Sequence, residues 1–301
     1  MRSSRRRWQT QKRSHEGEAG PGPIDAVRDH AAANRLGNLT AIASARHRLP
    51  LQAALGEPFA WEGEHIGCAL PGGRALFTTR RGGVSDAPYD TLNLGLFTDD
   101  DPVAVGSNRD RLAGLIGVPR RRTAQGRQVH GARVRRVLGA PDPAAELEPA
   151  DGQATALTGT AAVVLTADCL PVALVAPEGV AIVHAGWRGL AADVLAEGVA
   201  ALRELGAESD IAAAIGPGAG VCCYETGPEV HEAFAGYGPE ARRGDHADLK
   251  LVARRQLARA GVGAVHDVGL CTICSAPELF FSHRRDGGLT GRQAGVVWRS
   301  S

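Results

Sequence analysis

Three residues spaced 39 and 15 positions apart carry the most readable chemistry in the chain: His130 in RQVHGARV, Cys169 in TADCLPV and His184 in AIVHAGWRGL. Each follows or interrupts an apolar run and is trailed by a turn-permissive residue, which places its side chain at a sheet end rather than deep in a core. Imidazole and thiolate together suit Zn²⁺, and three protein ligands leave a fourth position for water or substrate, the arrangement of a catalytic site. Zinc fingers space their paired ligands about two to five residues apart, so here the fold itself has to gather the ligands. By itself the pattern also admits a cysteine nucleophile served by a histidine base, or three residues that only pack.

The other thiols and imidazoles carry weaker signals. Cys271 and Cys274 form a CxxC, which can be a redox pair or half of a zinc site, but no second CxxC and no thioredoxin-like βαβ pattern accompanies it. Cys222 and Cys223 stand together in GPGAGVCCYETG, where Cys223, Tyr224 and Glu225 are candidate pocket walls. His231 and His266 read as helix and strand residues without a partner.

The elements that must position these groups are read from period and punctuation. ALFTTR (75–80) is a strand that empties into the glycine-rich turn RGGVS, and RVRRVLG (133–139) is another. AAVVLTA (161–167), LPVALVAP (170–177) and GVAIVHA (179–185) are three β-rich runs expected to be neighbours in a sheet. GLAADVLAEGVAALRELG then changes period, with Leu190, Val194, Val199, Leu202 and Leu205 on one helical face and Gly206 placed to cap it. IAAAIGPG and AVHDVG return to strand, and PEVHEAFAGYG and DLKLVARRQLARAGV are further helices. The absence of a regular βαβ period predicts one α/β (α+β) domain with a mixed sheet.

Ordered structure is expected over 56–301. Residues 1–55 read as an extension whose first 13 residues carry six basic side chains and no acid; by composition it is a disordered tail or a mis-assigned start. Net charge is only +1, and 32 of the 34 basic residues are arginine without a basic run in the body, so neither nucleic acid nor an anionic membrane is an expected partner. No stretch approaches the roughly 18 apolar residues of a membrane span, and six cysteines in a chain this long do not form a secreted disulfide framework. The expectation is a soluble, cytoplasmic protein with reduced thiols.

FTTRRGGVSDAPYDTLNLG, RQVHG, TADCLPV, HAGWRG, IGPGAGVCCYETG and CT followed by ELFFSHRRDGGLTGRQAG stand here in an order and wording that resembles the YfiH and laccase-domain family of purine nucleoside phosphorylases, over about residues 59 to 298. The resemblance implies one Zn²⁺ per chain on His130, Cys169 and His184. It also implies phosphorolysis of adenosine, guanosine, inosine and methylthioadenosine, with phosphate as co-substrate, and hydrolytic deamination of adenosine. Phosphorolysis needs anion contacts near the ribose C1′, for which Arg80, Arg188 and Arg285 are the candidates, with Ser85 and Asn93 nearby. Asp168 is a candidate to orient a ligand from behind, or to bond its own turn. Two positions depart from the family: Gly218 stands where relatives have Cys after IGP, and His283 where they have Tyr, which puts a shared role for that imidazole in doubt.

Three rival readings accompany this one. Relatives have been called polyphenol oxidases, and His₂Cys is a blue-copper set, but the axial Met such centres use has no counterpart outside Met1. A cysteine-dependent hydrolase would keep Cys169 as thiolate, and an editing role on peptidoglycan precursors is associated with the family as well. A zinc-stabilised binding module is the non-catalytic reading.

Overall fold

The computed structural model describes residues 54–142, 147–275 and 277–300, so the expectation of a disordered tail lies almost wholly outside the described residues. In chain order the elements are β1 (Phe59–Glu62), β2 (His65–Leu70), β3 (Gly73–Phe77), α1 (Pro102–Ile116), β4 (Thr123–Gln125), β5 (Val134–Arg136), β6 (Gly152–Thr155), β7 (Ala161–Thr166), β8 (Leu170–Ala176) and β9 (Gly179–Ala185). There follow α2 (Trp187–Ala191), α3 (Val194–Glu204), β10 (Ala212–Ile215), α4 (Pro228–Phe234), the two-residue strands β11 (Arg242–Arg243) and β12 (His246–Ala247), α5 (Leu249–Arg259), β13 (Ala264–Asp267) and β14 (Gln293–Arg299).

The α/β class with mixed pairing is observed, but as two six-stranded sheets, ordered β1-β2-β3-β14-β7-β4 and β13-β10-β8-β9-β6-β5. Each combines parallel and antiparallel neighbours: β4 runs parallel to β7 in the first sheet, β10 to β13 and β5 to β6 in the second, and the remaining pairs are antiparallel. Phe77, Val164 and Val297 of the first sheet pack against Ala173, Val175, Val180 and Ile182 of the second. The outer face of the first sheet is covered by Leu112 and Ile116 of α1, and that of the second by Leu195, Val199 and Leu202 of α3 with Val252 and Leu257 of α5. Strands β7, β8 and β9 are buried at every residue, as strands covered on both faces must be.

Two expectations need correction. The run 161–167 is not a sheet neighbour of 170–177: β7 belongs to the first sheet and β8 to the second, and the turn holding Asp168 and Cys169 crosses between them. A run buried on both faces gives no period that assigns it to one sheet or the other. The long helix at 189–206 is two, α2 and α3, broken where Asp193 adopts a left-handed φ of 56°. Gly206, at φ 91°, does sit just beyond the end of α3 as its spacing required.

Candidate active site

Sheet register builds the site. Pairing of β8 with β9 sets Leu170 opposite Ala185 and Pro171 opposite His184, so Cys169 falls one step on, beside Gly186. Pairing of β6 with β9 sets Gly152 opposite Val183, and Asp151 therefore lies beside His184. His184 shares the strand face of Val180 and Ile182, which packs on the first sheet, and so emerges where the layer between the sheets ends. His130 arrives from the loop after β4. The amide of Gln128 fastens that loop to β7, accepting from Leu165 N at 2.8 Å and donating to Leu165 O at 2.7 Å.

The ligating atoms of His130, Cys169 and His184 all lie within 4.8 Å of one another. The two imidazoles meet edge to face with ring centres 4.9 Å apart. Two residues around the cluster hold left-handed backbone without being glycine, His130 at φ 59° and Asp168 at φ 91°, a strain that persists only where surroundings impose it.

Asp151, which no motif singled out, organises both histidines. Its carboxylate accepts from Nδ1–H of His184 at 2.8 Å and from the main-chain N–H groups of Val129, His130 and Gly131 at 3.2, 2.9 and 2.7 Å. It is fully buried. Holding the proton on Nδ1 leaves the Nε2 lone pair of His184 for a metal, the relay of carboxylate, histidine and metal found where ring orientation must be fixed.

The Cys169 thiol and the His184 imidazole stabilise each other's charged forms, so a bound cation would displace the proton from His184 Nε2. Burial alone pushes the Cys169 thiol up, but the imidazoles of His184 and His130 outweigh it and bring the pKa down to about 6. For His184 burial works downward, while the Cys169 thiolate and the Asp151 carboxylate lift the ring to about 9. A thiolate and two imidazoles converging from two loops and the end of β9 fit a tetrahedral Zn²⁺, whose fourth position three protein ligands would leave free.

Gly186 is needed for this convergence. A Cβ built there would lie 2.9 Å from Cys169 Sγ and 3.3 Å from His130 Cδ2. Gly186→Ala is expected to weaken metal affinity by roughly 10- to 100-fold, the scale set by disturbed ligand geometry, with an unchanged circular dichroism spectrum. Competition against a chromophoric chelator measures it.

The three ligands open into a cavity of about 420 Å³, within the usual range of small-molecule sites. Arg188, Arg284 and Arg292 stand on its wall, with Trp187, Tyr224, His283 and Phe97. The Arg188 guanidinium stacks on Trp187 and that of Arg284 on Tyr224. Burial lowers the pKa of Arg292, opposed by the Cys169 thiolate and the Asp168 carboxylate. Phe97 is 75% exposed at the cavity, an apolar ring left open to a planar ligand.

Of the five residues expected to contact substrate, Arg188 is on this wall and the other four are not. Arg80 spends its guanidinium on Asp90 and Pro277 O and packs over Phe281. Arg285 is engaged by Asp286, Thr272 O and Phe280 O. Ser85 and Asn93 both donate to Asp100 Oδ2 in a buried polar knot, although Asn93 Oδ1 also accepts from the main chain of Arg292 and so supports the wall from behind. Asp168 does neither thing expected of it: its carboxylate accepts from Thr272 Oγ1 and Arg284 N, both at 2.7 Å, tying the Cys169 turn to the loop between β13 and β14.

Residues 74–300 match the family described as multi-copper polyphenol oxidoreductase laccase. A purine nucleoside phosphorylase of Xylella fastidiosa is 46% identical over 246 residues, covering 76% of this chain and 93% of the relative. The purine nucleoside phosphorylase YfiH of Escherichia coli is 40% identical over 233 residues, 74% of this chain and 93% of that one. The crystal structure of YlmD from Geobacillus stearothermophilus superposes with a TM-score of 0.74 at 36% identity, covering 81% of this chain and 99% of that chain. With that extent of match, and a fold and ligand cluster to go with it, the chain belongs to the laccase-like family whose similar curated members are named purine nucleoside phosphorylases.

Proposed function

We propose that residues 56–301 form a zinc-dependent purine nucleoside phosphorylase that also deaminates adenosine, with adenosine, guanosine, inosine and methylthioadenosine as substrates. The observation that carries the reading is the convergence of a three-ligand cluster and three arginines on one cavity of about 420 Å³. A bound zinc supplies Lewis-acid charge stabilisation and can activate water, the latter being what deamination at the purine C6 requires.

The chain's own residues account for the rest of phosphorolysis. A phosphate oxygen forms a bond to ribose C1′ as the bond from C1′ to the purine nitrogen breaks, and charge develops on both the ribose and the departing base. Arg188, Arg284 and Arg292 hold the phosphate dianion by charge-assisted hydrogen bonds, and Phe97 with Tyr224 offers ring faces to the purine. Arg188→Ala is expected to raise the KM for phosphate about tenfold or more, since a hydrogen bond to a charged group contributes about 1.5–3 kcal/mol, while zinc content stays that of the parent. Steady-state kinetics with phosphate varied at saturating inosine gives the answer.

The test of the reaction is product analysis. Inosine or adenosine incubated with phosphate should yield hypoxanthine or adenine and ribose 1-phosphate, and adenosine alone should yield inosine. Zinc-loaded protein that makes none of these at any concentration would overturn the reading.

The closeness of both imidazoles to Cys169, which lowers its thiol pKa to about 6, supports a second reading, a cysteine hydrolase with His184 or His130 as base. Metal-free protein with alkylation-sensitive activity would favour it. A multi-copper oxidase is not supported: one cluster of three strong ligands cannot hold the several coppers that four-electron reduction of O₂ demands, and the second cluster among the described residues is made of thiols alone. Among the described residues no helix is long and apolar enough to cross a membrane.

A further inference from the structure

The CxxC that lacked a partner in the sequence has one in the fold. The loop after β10 brings Cys222 and Cys223 to Cys271 and Cys274 in the loop after β13, and the four sulfurs all lie within 4.8 Å of one another. We propose that these four cysteines form a second metal site, a closed tetrathiolate centre for Zn²⁺ that clamps together the two loops walling the cavity. The proposal stands independently of the reaction assigned above.

Geometry is the first argument. Four thiolates at about 2.3 Å around a tetrahedral ion stand about 3.8 Å from each other. Cys222 Sγ and Cys274 Sγ are 3.5 Å apart, and every other pair lies within 4.8 Å. A bonded pair of sulfurs would be about 2.05 Å apart.

The surroundings are built for a close approach. Gly218 and Cys271 pair as an isolated parallel bridge, with Thr272 N donating to Gly218 O at 3.1 Å, so the two loops are already held in register at the cluster. Gly220 N–H donates to Cys271 Sγ at 3.3 Å, and the N–H groups of Ile273 and Cys274 are also directed at that sulfur. Donors of this kind orient a thiolate and distribute its charge when it binds a metal. A Cβ on Gly220 would meet Cys222 Sγ at 3.1 Å and Cys271 Cβ at 3.3 Å, so a larger residue there would press on the cluster.

The donor set decides the ion and the role. Four soft thiolates select zinc or iron over magnesium and calcium, and a site with four protein ligands has no position left for substrate. What such a site does is hold chain segments together. The first loop carries Tyr224 and the second carries Arg284 and Arg292, all on the cavity wall. Thr272, inside the CxxC, donates to Asp168 beside Cys169. Loading the tetrathiolate site therefore stiffens the wall that receives substrate without taking part in the reaction.

The test is metal analysis of reduced full-length protein, with two sets of variants. The parent is expected to bind about two zinc per chain by elemental analysis. His130→Ala with His184→Ala should keep about one, and Cys222→Ser with Cys274→Ser should likewise keep about one. Cobalt loaded into the histidine double variant should show the intense thiolate-to-metal absorption of a tetrahedral all-sulfur centre, a readout that survives if a serine variant folds poorly. One zinc in the parent, unchanged in the cysteine double variant, would overturn the proposal. So would an intact mass lower by the hydrogens of a disulfide among these cysteines, with no second metal.

Discussion

His184→Ala should leave the protein folded, remove the metal from the histidine-cysteine site and lower kcat/KM for phosphorolysis on the order of 10³-fold or more. Lewis-acid stabilisation of developing charge contributes several kcal/mol, and about 1.4 kcal/mol is a factor of ten in rate. The ring is also the point where the ligand cluster meets its support: Nδ1 is held by Asp151, and the ring lies edge to face with His130. Its removal takes away a ligand, unpairs a buried carboxylate and opens space beside the other imidazole. Zinc content at the histidine-cysteine site, read in a background with Cys222 and Cys274 replaced by serine, should fall to the blank. Full occupancy there would show that the ligand set is wrong, whatever the activity. His130→Ala should lose the metal as well but cost less stability, because His130 is exposed and His184 is buried.

That His130, Cys169 and His184 come together was legible chiefly in the wording of RQVHG, TADCLPV and HAGWRG, which resembles the family's. Cys169 and His184 do stand at strand ends, but His130 lies out in the loop after β4, where no apolar run marks it. What was not legible is set by register and by direction. Nothing in PADGQ marks Asp151; it matters because β6 pairs with β9 so as to set it beside His184, and pairing register is a property of two strands together. Arg284 and Arg285 are neighbours in one motif, yet the first faces the cavity and the second turns inward onto Asp286. A motif written as a string does not say which of two adjacent side chains faces a ligand.

The same holds for the glycine-rich segment. Ser85 and Asn93 read as phosphate contacts because turns with exposed N–H groups often are, but here the turn is stitched to α1 through Asn108, which donates to Ser85 Oγ, Thr91 O and Asn93 O. Helix α1 itself gave little signal: Gly106, Ser107 and Asn108 interrupt it, and only four of its 15 residues are buried. The CxxC of Cys271 and Cys274 was set aside for want of a second one, since its contact with Cys222 and Cys223, 52 residues away from Cys222 to Cys274, leaves no trace in spacing.

Asp151→Asn carries the second large expected effect, and it separates orientation of the metal site from its ligands. The amide keeps the size of the carboxylate but not its charge, and it places two donors where the native group only accepts. Facing the N–H groups of Val129, His130 and Gly131 as well as Nδ1–H of His184, it cannot satisfy all of them. Metal affinity is expected to fall roughly 10- to 100-fold, the range measured when the partner of a metal-binding histidine is changed. Asp151→Ala should go further and cost about 3–5 kcal/mol of stability, because it breaks a buried charged network and leaves its donors unpaired. The pH dependence fixes the cause. In the native fold burial works to raise the Asp151 pKa, but His184 and the main-chain donors outweigh it and hold the carboxyl below its ordinary 3.8. A depressed carboxyl contributes stability that is complete above the ordinary carboxylate range and lost as pH falls through the folded value. Urea unfolding of chelator-treated protein should therefore show parent and Asp151→Asn well separated at pH 7 and drawing together below about pH 4. A gap that stays constant across that range would mean that Asp151 acts through packing alone, and the support assigned to its charge would fall.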